Sequence, residues 1–242
     1  GGGTGGGAVT AGTILLGGEG GPGYATAKLI LRRAREVEAL CNRSQRAADR
    51  VRIVFVTNYE VSCAELLFPA TELSEQISKA GTEASGTGCM KSVVNGGIII
   101  GTLAGAKLEI RDEVGAENIF TFGKTADEIA AMRGNYDPRT FIDANPELKR
   151  VIETIGNLSG GVYRPIVESL TGADHYFLCA DFASYIETQD RAAKMWQLRE
   201  DWTRMSILNV ARSGWFSADR TVLEYARDIW GVDPVSVMHE EE

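Results

Sequence analysis

Histidine is nearly absent from this chain, with His175 and His239 the only two among 242 residues. That scarcity argues against a metal centre built on imidazoles, so no metal site is expected, and it leaves a Ser-His-Asp triad short of a base. His175 is expected at a strand edge rather than as a general base. Cysteine is sparse as well. Cys41, Cys63, Cys89 and Cys179 stand too far apart in sequence for a zinc knuckle or a CxxC redox pair, which points to reduced thiols in an intracellular protein. Positive charge is in deficit: 25 Lys and Arg against 33 Asp and Glu give a net charge of −8. A basic face for nucleic acid is therefore not expected. No apolar run approaches the roughly 18 residues that would cross a membrane. An initiating methionine is also missing. The chain starts Gly1-Gly2-Gly3-Thr4-Gly5-Gly6-Gly7, which cannot pack a core and has neither the basic nor the apolar region of a signal peptide. Residues 1–12 are expected to lie outside the fold, and the chain to be a piece of something longer.

What is present is enough apolar content, 44%, for one large α/β core. Residues 13–16 read as a short buried strand that breaks at a Gly-rich turn, after which Tyr24 opens a helix with Ala27, Leu31, Ala34 and Leu40 at helical spacing. That turn does not match GxGxxG and carries little weight as a dinucleotide site. Residues 51–56 are β-branched and continuous, as in a parallel strand buried on both faces. Asn58 and Tyr59 follow at its carboxyl end, where open α/β sheets hold ligands. Helix is expected over 61–67 and 88–95, a helical turn over 74–78, and strands over 98–101, 108–110, 119–122 and 176–178. Helices over 126–132 and 163–170, two opened by Asp137-Pro138 and Asn145-Pro146, and three over 181–193, 196–210 and 217–229 complete the chain. Ser217 resembles an N-cap without the capping-box Glu. This alternation predicts a doubly wound parallel sheet with C-terminal helices.

The stretch 78–95 organises the chemistry. Gly81, Ser85, Gly86, Thr87 and Gly88 allow close backbone approach, and Lys91 follows in what reads as the first turn of a helix. A helix N-terminus with free N–H groups binds anions, and a lysine there can donate to a phosphate or condense with an aldehyde. Read blandly, Lys91 is a surface lysine, and Glu83 and Ser85 are solvated loop residues. A P-loop is the nearest competitor: Gly81 and Gly86 have its glycine spacing. Four residues then separate Gly86 from Lys91 where that motif allows none, which would carry the lysine past the phosphates. If the cradle is a site, Glu83 and Ser85 suit sugar hydroxyls.

The run Thr82-Glu83-Ala84-Ser85-Gly86-Thr87-Gly88, then Met90-Lys91, resembles the pyridoxal-phosphate signature of the α-glucan phosphorylases. Asn58-Tyr59 with Val61-Ser62, Leu73-Ser74-Glu75-Gln76-Ile77-Ser78, Ile100-Gly101-Thr102-Leu103, Trp202-Thr203-Arg204-Met205, Asp219-Arg220-Thr221 and Ile229-Trp230 resemble it in the same order, so that the likeness covers roughly 13–234. The resemblance implies that residues 13–242 are the Rossmann-like, C-terminal half of a GT-B glycosyltransferase, with the family's N-terminal domain absent. It implies a Schiff base between Lys91 and pyridoxal 5'-phosphate, the cofactor phosphate on the N–H groups of Thr87 and Gly88, Tyr59 near it, and a glucosyl unit bound by Glu83, Ser85 and Gly86. The implied reaction moves the terminal α-1,4-linked glucose of glycogen or starch to inorganic phosphate, giving glucose 1-phosphate. Full-length relatives are expected to be allosteric homodimers, in the cytoplasm or alternatively a plastid.

Several positions depart from the family pattern. Glu60 replaces a basic or amide residue. Were its carboxylate within about 4 Å of the cofactor phosphate, repulsion would reach ~4 kcal/mol at an effective dielectric near 20. Cys89 replaces an Asn beside the cradle, and Ala104 and Lys107 replace an Asp and an Asn, removing polar contacts. Without the N-terminal domain and its basic segment the clamp on a substrate dianion is incomplete, so the chain alone is expected to be inactive or nearly so. The competing readings are a non-catalytic, phosphorylase-derived binding or structural protein, and a nucleotide-sugar glycosyltransferase that uses no Schiff base.

Overall fold

The computed structural model describes residues 12–18, 20–48, 50–83 and 85–235. Of the Gly-rich segment only Gly12 falls among them, and it opens the first strand. β1 (Gly12–Gly17) pairs in parallel with β2 (Val51–Val56), Ile14 opposite Ile53. The crossover between them is α1 (Ala25–Arg43) and the single turn α2 (Gln45–Ala48). After α3 (Val61–Leu67) come β3 (Leu73–Gln76), α4 (Thr87–Val94), β4 (Ile98–Thr102), α5 (Ala106–Val114) and β5 (Phe120–Phe122). β3, β4 and β5 form a second parallel sheet, with Leu73 opposite Ile98 and Ile100 opposite Phe120. The architecture is α/β with parallel sheets and many helices.

The sequence predicts one sheet, and the strands hydrogen-bond as two. The second edge of β2 is taken by α1: the Asn42 side-chain amide donates to the Ile53 carbonyl at 2.7 Å, Ile53 N–H donates back to Asn42 at 3.2 Å, and Phe55 N–H donates to Glu38 at 3.0 Å. Backbone groups satisfied by side chains in this way are not available to another strand. β1 is largely exposed and only Ile53 of β2 is buried, so neither is the doubly buried strand expected there. That role falls to β4, every residue of which is buried.

Helices cover both faces of β4. Ile99 packs with Val93 of α4 and Ile110 and Val114 of α5. Ile98 and Ile100 face the opposite way, against Ala192, Trp202 and Met205. These belong to α10 (Leu178–Gln197) and α11 (Arg199–Arg212), which follow α6 (Ala126–Met132), α7 (Pro138–Ala144), α8 (Pro146–Asn157) and α9 (Arg164–Thr171). α12 (Ala218–Tyr225) runs into a wider turn, Ala226–Trp230. Side-chain caps start the middle helices. Asp137 accepts from Arg139 N–H and Asn145 from Glu147 and Leu148 N–H, each ahead of a proline whose missing donor costs nothing at that position. Thr125 and Glu128 complete a capping box on α6. Ser217 occupies the N-cap of α12 with no side-chain bond to it.

Three elements differ in type from expectation. Residues 74–78 read as a helical turn, yet Leu73–Gln76 is β3, because tertiary pairing with β4 overrides weak local propensity. Residues 108–110 read as a strand and lie inside α5, where Ala106, Ile110 and Val114 bury one helical stripe. Residues 176–178 read as a strand and instead enter α10. Phe177 has φ +57°, and the Asp174 carboxylate accepts from Leu178 and Cys179 N–H. His175 therefore sits at no strand edge. Its carbonyl accepts from Lys79 Nζ at 2.8 Å.

Candidate functional site

The cradle forms where the chain leaves β3 and enters α4. Gly86 is the N-cap, at φ +89°, a backbone state that costs glycine nothing. No side chain caps α4, so its first-turn N–H groups are left to a ligand or to water. Lys91 is the fifth residue of α4 and lies in its second turn rather than the first. The difference matters little to reach. Residues 87, 88 and 91 share one helical face by their three- and four-residue spacing, and helical side chains lean toward the N-terminus. Lys91 is exposed, and its ammonium has no hydrogen bond or ion pair among the described residues. Thr87 is exposed and Gly88 half-buried. A phosphate seated on that first turn, attached to a carbonyl group within reach of Lys91, fits this donor set.

The acid of the cradle is held from inside. Glu83 Oε2 accepts from Lys107 Nζ at 2.6 Å, with the Lys107 side chain 1% and the Glu83 side chain 23% exposed. Oε1 turns toward Gly86, where a Cβ would stand 2.5 Å from it. Ser85 is exposed, and its carbonyl accepts from Ala106 N–H at 2.8 Å. Glu83, Ser85 and Gly86 thus meet the first turn of α4 in one loop, stapled to the first turn of α5. The Gln76 side chain lies beside Gly88, 3.4 Å from where a Cβ would be.

Tyr59 comes from the other sheet. It follows β2 in the first sheet, half-buried with its ring against Gly17, where a Cβ would stand 2.7 Å away. No hydrogen bond joins it to the cradle among the described residues. Asn58 adopts φ +51°, the turn role that suits asparagine. Glu60 is exposed at the N-cap of α3. Cys89 is no cradle residue. It is buried with Val93 and Ile99, and its thiol donates to the Gly86 carbonyl at 2.7 Å. Burial pushes that thiol above its ordinary range. Ala104 is buried beside Ala80 and Ile129.

From the sequence, Lys107 is only a lost polar contact. It is instead the cation nearest the cradle acid. The signal was in the spacing: Lys107, Ile110 and Val114 recur at three and four residues, which puts the lysine on the buried stripe of α5. Reading 108–110 as a strand hid it. Gly105 was missed for the same reason. One hollow of about 450 Å³ lies elsewhere, along α11 between Arg199 and Leu208. Among the described residues no group of His, Cys, Asp and Glu could hold a metal ion, and no helix is long and apolar enough to cross a membrane.

Comparison with known proteins gives a consistent result. A family model described as carbohydrate phosphorylase matches residues 5–232. Glycogen phosphorylase of Synechocystis sp. is 45% identical over 235 residues, covering 95% of this chain and 28% of that protein. The muscle form of glycogen phosphorylase from Mus musculus is 42% identical over 231 residues, 92% of this chain and 27% of that protein. Glycogen phosphorylase of Chlamydia trachomatis is 42% identical over 226 residues, 91% and 28% respectively. The chain therefore spans little more than a quarter of the length of these relatives.

Proposed function

The chain belongs to the carbohydrate phosphorylase family, and we propose that it supplies the pyridoxal 5'-phosphate-holding, Rossmann-like part of a GT-B α-1,4-glucan phosphorylase. The observation that carries this reading is the position of Lys91, one turn beyond the uncapped start of α4 and on the same helical face as Thr87 and Gly88. In this reading Thr87 and Gly88 N–H groups donate to the cofactor phosphate, and Lys91 Nζ is the point of covalent attachment. The cofactor supplies a phosphate group that exchanges a proton with the substrate phosphate. Glu83 accepts a hydroxyl of the terminal glucose, with Ser85 and Gly86 beside it. The substrates are then an α-1,4-glucan such as glycogen or starch and inorganic phosphate, and the product is glucose 1-phosphate. Cys89, drawn into the core, and Glu60, turned to solvent, leave the cradle clear. This favours the phosphorylase over a non-catalytic relative. Four free cysteines suit the reducing cytoplasm or a plastid.

Incubation with pyridoxal 5'-phosphate followed by borohydride tests the reading. A pyridoxyl group is expected on the peptide that carries Lys91, and Lys91→Ala, an exposed and unpaired position, is expected to lose it while keeping its melting temperature. Modification spread over surface lysines with no preference for Lys91 would sink the proposal.

A further inference from the structure

Lys107 is the second residue of α5, and its side chain is buried to 1% exposure. Its stem lies over Gly101, where a Cβ would stand 3.1 Å from Cδ. Its ammonium pairs at 2.6 Å with Glu83 Oε2, the one ion pair it makes among the described residues. Burying an ammonium is costly, and a lone acid–base pair offsets that cost only in good geometry. Lysines are rarely buried in this way unless paired. The sequence departures at 104 and 107 fit together here. With alanine at 104, no carboxylate from that position competes for the ammonium, and Ala104 goes into the core. Glu83 is left with its inner oxygen tied down and its outer oxygen, Oε1, beside the backbone of Gly86 at the start of α4.

Resting on the reading above, we propose that Lys107 is a positioning residue for sugar recognition. Its ammonium holds the Glu83 carboxylate in one orientation, so that Oε1 accepts a hydroxyl of a hexose bound at the cradle. Lys107 does not touch the sugar and acts through Glu83. Breaking the pair leaves Glu83 free to rotate toward solvent and removes one fixed acceptor from the sugar, without altering the N–H groups of Thr87 and Gly88.

The test measures binding of glucose 1-phosphate and, separately, of inorganic phosphate to the intact protein that carries this chain. The variants are Lys107→Met, Lys107→Arg, Glu83→Gln and the Glu83→Gln/Lys107→Met pair. Lys107→Met and Glu83→Gln are each expected to weaken glucose 1-phosphate by about tenfold, the scale of one charge-assisted hydrogen bond. The double variant should be no weaker than either, Lys107→Arg should recover most of the loss, and inorganic phosphate affinity should stay within about twofold, well under the tenfold step. Where Lys107→Met does not fold, Lys107→Arg and Lys107→Gln give the same comparison. A loss with Glu83→Gln and none with the Lys107 variants, or equal losses for sugar phosphate and phosphate, would overturn this inference alone. No pyridoxyl group at Lys91 and no glucose 1-phosphate binding by the unaltered protein would overturn the parent reading as well.

Discussion

The N–H of Ala106 donates to the carbonyl of Ser85 at 2.8 Å, so the first turn of α5 carries the cradle loop by its backbone. Gly105 makes this contact feasible. It sits at φ +56°, ψ −142°, and a Cβ there would stand 2.2 Å from the Ser85 carbonyl oxygen. Gly105→Ala therefore meets both a backbone state that L side chains avoid and a clash with main chain that cannot rotate away. The strain is of order 1–3 kcal/mol, which lowers the melting temperature by several degrees in a chain of this size. Borohydride-fixed pyridoxyl at Lys91 is expected to fall with it. Unchanged melting and unchanged labelling would show that the loop is not held through Ser85.

Much of the fold is legible in the sequence. Pro138 and Pro146 sit one residue after side chains that cap, so both helix starts could be read directly. The isoleucines at 98–100 could be read as a strand, and it is β4, though its full burial was expected of residues 51–56. The cradle was legible because glycines, hydroxyls and a lysine fall within one short stretch. Three things were not, each because a long-range partner decides it. β3 is a strand through β4, Lys107 joins the cradle loop through Glu83, and the Tyr59 ring packs against Gly17. The division of the sheet depends on Asn42 and Glu38 turning onto β2, which no local pattern encodes.

The turn into α10 rests on Asp174, which is 2% exposed. Its carboxylate accepts from the Tyr136 hydroxyl at 2.6 Å, Leu178 N–H at 3.1 Å and Cys179 N–H at 2.8 Å. Tyr136→Phe removes one bond to a charged acceptor, worth about 1.5–3 kcal/mol, and Asp174→Ala strands three donors and costs more. Because the pair shares one network, the double variant should lose less than the sum of the singles in urea unfolding. Additive losses would mean the hydroxyl and carboxylate act independently.

The cysteines should separate by reactivity, since the thiolate is the attacking species. Cys41 and Cys63 are half-exposed, whereas Cys89 and Cys179 are buried. Burial raises both buried thiols. With the neighbouring Asp174 carboxylate, it pushes Cys179 up to about 12. At pH 8 an aromatic disulfide reagent is expected to modify Cys41 and Cys63 in the folded chain, and Cys89 and Cys179 only in denaturant. Peptide mapping decides it, and rapid native modification of Cys179 would contradict its packing against the Leu170 turn.

Asp181 should make stability fall as pH rises. Burial pushes its carboxyl above the ordinary range, partly opposed by the Lys124 N–H that donates to Oδ1 at 2.7 Å. The unfolded chain then releases this proton near pH ~4, while the folded chain still holds it. Below that pH both states are protonated and the full contribution of Asp181 is present. It declines as pH climbs from there to the raised folded value, and is level beyond. Asp181→Asn keeps an acceptor for Lys124 and has no proton to lose. Its stability relative to the unaltered chain should therefore increase across that window and then plateau. Urea unfolding of both proteins from pH 3 to 8 gives the difference curve. A difference that is flat with pH, or that moves in favour of Asp181 as pH rises, would show that the Lys124 bond outweighs burial at this site.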